Sequence, residues 1–143
     1  MGLSKNRIEV EKVQILSEPI RKTRHLGSCE MEDKTAVLIG KALEYNKVLT
    51  ELDLSLNNFQ YKGGEAFWTS LKVSKVLEIL EMHENDMKGV KSIGKYLKIN
   101  NVLVYLNLQQ RKIGDETGEI IGESLKTNRG IVLRCEEAVG IEE

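Results

Sequence analysis

One five-residue string returns along the chain at almost equal intervals, and that regularity limits the fold more than any single motif does. Ile39-Gly40-Lys41-Ala42-Leu43 is followed by Phe67-Trp68-Thr69-Ser70-Leu71, then Ile93-Gly94-Lys95-Tyr96-Leu97, then Ile121-Gly122-Glu123-Ser124-Leu125. The offsets are 28, 26 and 28 residues. A second string keeps the same spacing: Asn46-Lys47-Val48-Leu49, Ser74-Lys75-Val76-Leu77 and Asn100-Asn101-Val102-Leu103. A unit this small cannot bury its own apolar face. Copies must stack and bury it between them.

Two periodicities share each copy. Leu52 and Leu54, Leu80 and Met82, and Leu106 and Leu108 alternate with period two, which predicts a strand with these side chains turned inward. Ile39 and Leu43, like Ile93 and Leu97, stand four apart and make one apolar stripe on a helix. Gly40, Gly94 and Gly122 mark where a helix backbone is expected to meet its neighbour closely. Asn46, Ser74, Asn100 and Asn128 fall where the helices end, and a left-handed backbone is expected there. The short copy loses its two residues between Met87 and Ile93, in the stretch leading into the helix.

The run Leu49-x-x-Leu52-x-Leu54-x-x-Asn57-x-Phe59 resembles the leucine-rich-repeat signature, and the 28-residue period with a regular helix resembles the ribonuclease-inhibitor-like subtype. The resemblance runs from Ile20 to Ile131 and implies an α/β solenoid of right-handed strand–helix repeats, the parallel sheet concave and the helices convex. The subtype occurs in ribonuclease inhibitors, innate-immune receptors, GTPase-activating proteins, actin-filament cappers and ciliary proteins. What it implies here is a non-catalytic protein-interaction module, with regulation of a small GTPase as a remoter implication. Residues 1–19 are expected to flank a repeat domain over 20–143, with copies at about 20–45, 46–73, 74–99 and 100–127 and a partial strand at 128–136. Leu26, Cys29 and Met31 take the places of Leu54, Asn57 and Phe59, cysteine being the family's accepted substitute. Arg21 and Arg24 replace Leu49 and Leu52, so the first copy is degenerate. Arg111 replaces the asparagine of the third full copy; it has donors only, so a looser turn or a solvent-facing side chain is expected. No clear polar cap closes either end. Self-association through the ends, or a place as a structural segment in a larger repeat array, is the second expectation.

Residues flanking the inward leucines should face the concave side. In repeat order these are Thr23, His25 and Gly27; Glu51, Asp53 and Ser55; Ile79, Glu81 and His83; Tyr105, Asn107 and Gln109. The middle strands carry three carboxylates without Lys or Arg, and Glu84 adds to them. A basic protein partner is expected there, with Ile79 and Tyr105 as apolar anchors. The plainer reading is a solvated face without a partner. Trp68 stands where other copies have glycine, and it either fills extra room beside its helix or forms a contact on the convex side.

Composition enters by exclusion. Twenty-one Lys+Arg against 22 Asp+Glu give a formal net charge of −1, which creates no overall attraction to nucleic acid or an anionic membrane. No run of 18 apolar residues exists to span a bilayer, and the first residues lack the apolar core of a signal peptide. Cys29 and Cys135 should lie about four strands apart, ~20 Å, beyond disulfide reach, and a reducing cytoplasmic location is the expectation. His25 and His83 should lie roughly 12 Å apart, too far for one zinc ion. Carboxylates on an open sheet have nothing to raise a pKa into the range of a general acid. Gly63-Gly64 lacks the Lys-Ser/Thr of a phosphate loop. Catalysis, cofactors and metals are therefore not expected.

Overall fold

The computed structural model describes residues 23–86, 91–109 and 114–134, with side-chain environments from residue 26 onward. Met87, Arg111, Ile113 and Cys135 lie outside the described residues, as do the side chains of Thr23 and His25. Among the described residues, five three-residue strands alternate with four helices. The strands are β1 (Thr23–His25), β2 (Glu51–Asp53), β3 (Ile79–Glu81), β4 (Tyr105–Asn107) and β5 (Val132–Arg134). The helices are α1 (Asp33–Tyr45), α2 (Tyr61–Leu71), α3 (Ser92–Ile99) and α4 (Asp115–Thr127).

The strands form one parallel sheet in chain order. Glu51 stands opposite Thr23 and Ile79, and Ile79 opposite Tyr105, so the register follows the sequence repeat. The segment after Asn128, whose register the sequence leaves open, pairs Val132 with Tyr105 and Leu133 with Leu106. Leu52, Leu80 and Leu106 point inward and join Ile39, Phe67, Ile93 and Ile121 from the helices in one core. Parallel strands with a helix in every connection explain why both signals sit in each copy.

Asparagine side chains close the turns that leave the strands. Asn57 Oδ1 accepts the N–H groups of Cys29 at 3.1 Å and Met31 at 3.0 Å, while Nδ2 donates to the carbonyls of Leu26, Leu54 and Ser55. Asn85 repeats the pattern one copy on, accepting from Phe59 and donating to Leu54 and Met82. In the degenerate copy Cys29 Sγ lies 3.4 Å from the Gly27 carbonyl, a weak bond in the same sense as the one Asn57 makes to Ser55.

The helix ends differ from expectation. Asn46, Asn100 and Asn128 are extended, with φ of −71°, −76° and −98°, and none is left-handed. Their Oδ1 atoms instead accept backbone N–H groups two or three residues ahead, at Val48 and Leu49, at Val102 and Leu103, and at Gly130. An asparagine that turns the chain through its side chain has no need of positive φ. Left-handed residues come instead after the strands: Ser28, Leu56 and Glu84 at equivalent positions, with φ of 55°, 54° and 56°, and Glu30, with φ of 52°, in the degenerate copy. The first three also extend the sheet by one rung, with Ser28 N–H donating to Ser55 O, Leu56 to His83 O and Glu84 to Gln109 O.

Successive helices meet through small residues. A Cβ at Gly40 would lie 3.2 Å from the Phe67 Cα, and one at Gly94 would collide with Ile120. Gly122 occupies the same position on α4, yet a Cβ there would meet no other described part of the chain within 4 Å beyond its own helix backbone. Acidic side chains tie the entrances of α2 and α3 to the preceding helix. Asp33 Oδ1 accepts Gln60 N–H at 2.6 Å, and Glu65 Oε1 accepts the N–H groups of Lys91 and Ser92 at the start of α3. These carboxylates satisfy helix-start donors that the local residues leave uncapped. Gly63 lets α2 come that close, because a Cβ there would lie 2.5 Å from the Asp33 Cα. Gly63→Ala should therefore cost about 1–3 kcal/mol by overpacking backbone against backbone. Urea unfolding followed by circular dichroism should show a lower midpoint with an unchanged slope.

Trp68 makes no convex contact, because its side chain is completely buried. Its ring sits edge-on to Phe67 at 5.5 Å and 5.3 Å from the ring of Tyr96 on α3. Tyr96 stands where Ala42, Ser70 and Ser124 stand in other copies, so α2 and α3 meet through two large rings. Burial pushes the Tyr96 phenol ionisation up from its ordinary range.

Candidate functional site

The sheet face away from the helices carries three rows of side chains that cross the strands. One row is Glu51, Ile79, Tyr105 and Val132; the next is Asp53, Glu81, Asn107 and Arg134. Ser55, His83 and Gln109 follow their strands and form the third, beside Gly27. Glu51, Asp53, Ile79, Glu81, His83, Tyr105 and Gln109 are all half-buried, so each offers part of its surface to solvent.

Ser55 and Asn107 do not belong to that accessible set, since each is only 4% exposed. Both are used inside the face. Ser55 gives its O–H and its N–H to Asp53 Oδ1, at 2.6 and 2.9 Å. Asn107 Oδ1 accepts Gln109 N–H at 3.0 Å, which turns its Nδ2 toward His83 Nδ1 at 3.4 Å. That same Nδ1 lies 3.3 Å from Glu81 Oε2. A protonated Nδ1 donates to Glu81, whereas a bare Nδ1 accepts from Asn107, so the two contacts belong to different protonation patterns. Period-two alternation gives a side chain's direction out of the sheet. It does not give the cover that neighbouring strands lay over it.

Val132, at 64% exposure, and the exposed Arg134 complete the rows on β5. Sequence reasoning missed both, although Leu133 follows Leu106 by 27 residues and could have set the register. With Val132 in place, Ile79, Tyr105 and Val132 form an apolar row over three adjacent strands. Leu56, 51% exposed, adds a further apolar side chain just beyond β2.

Among the described residues, no group of three or more His, Cys, Asp or Glu side chains could hold a metal ion. None of the described helices is long and apolar enough to cross a membrane.

A family profile described as "Leucine Rich repeat" matches residues 45–67, the stretch that holds Leu49, Leu52, Leu54 and the ladder residue Asn57. The chain has the leucine-rich-repeat fold. Among solved structures, this leucine-rich-repeat chain is similar to one titled "Leiomodin-1 Actin-Binding Site 2 (ABS2)", with a TM-score of 0.79 and 24% identity over 95% of this chain and 82% of that one. It is also similar to the tropomodulin C-terminal domain of Caenorhabditis elegans, with a TM-score of 0.75 and 11% identity over 92% of this chain and 84% of that one. At these identities the likeness concerns the leucine-rich-repeat fold. No curated protein sequence matches the chain.

Proposed function

We propose that this leucine-rich-repeat chain is a non-catalytic protein-interaction module of the ribonuclease-inhibitor-like subtype, working in the cytoplasm and holding its partner on the concave sheet face. The observation that carries the reading is the apolar row Ile79, Tyr105 and Val132, which sits on three neighbouring strands and is bordered by Glu51, Asp53 and Glu81. Half-exposed apolar side chains grouped on rigid strands are what a binding hot spot requires, and the carboxylates favour a partner with basic groups at the rim.

Actin is the first partner to test, because the leiomodin-1 structure carries actin binding in its title. Binding of the labelled chain to monomeric and filamentous actin should fall at least tenfold in Tyr105→Ala and in Glu81→Lys, with the circular dichroism spectrum unchanged. Equal binding by the parent chain and both variants would place any contact elsewhere. No binding to either form of actin would remove actin as the partner and leave the face to be tested separately.

A second reading, a segment within a larger repeat array, has its own support. Leu125 is half-buried where Leu43, Leu71 and Leu97 are fully buried, and a Cβ at Gly118 or Gly122 would meet no other described part of the chain within 4 Å beyond its own helix backbone. Association through this end should appear in analytical ultracentrifugation as a mass that grows with concentration. A monomer at every concentration would count against it.

A further inference from the structure

The concave face is chemically lopsided along the direction that crosses the strands, and that lopsidedness defines a polarity for what it binds. Carboxylates occupy its β2–β3 end, at Glu51, Asp53 and Glu81, while Arg134 on β5 is the only cation on strands β2 to β5. Between them runs the apolar row. Its ends, Ile79 and Val132, are two strands apart, or about 10 Å at the usual strand spacing.

That length matches one kind of segment. On an α-helix, positions i and i+7 lie about 10.5 Å apart on one face, with a third residue one turn between them. Each helical turn of about 5.4 Å then meets one strand, so three apolar side chains can contact Ile79, Tyr105 and Val132 in order. An extended segment spanning the same distance has only about three residues, and they point alternately toward and away from the face.

Resting on the interaction reading above, we propose that the row takes a short amphipathic α-helix of the partner, laid across the strands with a basic N-terminal end over β2–β3 and an acidic C-terminal end at Arg134. The helix dipole acts in the same direction as the side chains. Its positive N-terminal end meets the carboxylates, and its negative C-terminal end meets the guanidinium.

The test uses two fluorescein-labelled 14-residue peptides, both held helical by the same side-chain lactam and both with leucines at i, i+4 and i+7. The forward peptide has lysines in its first turn and glutamates in its last, and the swapped peptide has the reverse. Fluorescence anisotropy should show the forward peptide binding about tenfold more tightly, the combined effect of two rim ion pairs and the dipole. The double variant Glu81→Lys/Arg134→Glu, which leaves one net negative charge at each end of the row, should abolish most of that preference, and Tyr105→Ala should weaken both peptides. Equal affinities, or a preference the double variant leaves unchanged, would overturn the polarity. If such equal binding still depends on Tyr105, the binding face stands and only its direction falls. If neither peptide binds, the row takes no helix, and actin binding remains a separate question.

Discussion

Asn57→Ala should lower the stability of the chain by about 3–5 kcal/mol, a large part of the 5–15 kcal/mol typical of a whole domain. The side chain is only 8% exposed and makes five hydrogen bonds to backbone groups of two successive copies. The losses are unequal. Leu54 O keeps Asn85 Nδ2, and Ser55 O keeps the N–H of Ser28. The cost therefore falls on Leu26 O and on the N–H groups of Cys29 and Met31, each losing this partner at roughly 1–3 kcal/mol, with entering water recovering part. At about 4 °C per kcal/mol, the melting temperature should drop by about 10–20 °C. Asn57→Asp keeps the acceptor but aims a carboxylate oxygen at the carbonyls of Leu26, Leu54 and Ser55, so its loss should be at least as large. A fall below about 1 kcal/mol for Asn57→Ala would mean that water serves the turn as well as the amide does.

A loss of similar size is expected for Trp68→Ala, again about 3–5 kcal/mol, through an unrelated cause. Here the penalty is a cavity between Phe67 and Tyr96 rather than stranded polar groups. Trp68→Gly is the sharper comparison, because glycine is what α1, α3 and α4 carry at this position. Restoring the repeat's own residue should still destabilise, since Tyr96 stands where smaller residues stand in the other copies. Chemical unfolding followed by far-ultraviolet circular dichroism measures both variants. A Trp68→Gly chain as stable as the parent would show that α3 closes onto α2 without cost. Trp68 is the only tryptophan, so its fluorescence also reports whether the ring is shielded from a soluble quencher in the parent chain.

The strands, helices and their order were legible because one copy's periodicities return with fixed offsets. Parallel pairing turns an offset in sequence into a neighbour in space, as Glu51 and Ile79 illustrate. The role of Asn57 was legible through its place in the repeat signature, since turning a corner between strand and helix leaves backbone groups that an amide can satisfy. What a residue's place in the repeat could not give was the room around it. Trp68 read either as a filler of extra room or as a convex contact, because glycine in other copies says nothing of the space here, and that space involves Tyr96, 28 residues further on. Ser55 and Asn107 read as accessible because alternation gives direction alone, while hydrogen bonds to Asp53 and Gln109 hold them down within the face. Val132 escaped notice because the connection from β4 to β5 is one residue shorter than the main period. The asparagines at the helix ends were placed correctly in the chain and given the wrong backbone, as their turning is done by Oδ1.

The ring pair of Trp68 and Tyr96 reaches further than the core it fills. Strands advance about 4.8 Å per copy and packed helices about 8–10 Å, so a stack of such copies arcs toward its strands. How tightly it arcs at each step depends on the thickness of the material between consecutive helices. At Gly40 and Gly94 that material is thin. At Trp68 two rings lie between α2 and α3, and the strands of that step are β2 and β3. In one row of the sheet face, Glu51 gives way to Ile79 at that same step. A side chain buried behind the sheet thus has a part in setting how far those two strands splay.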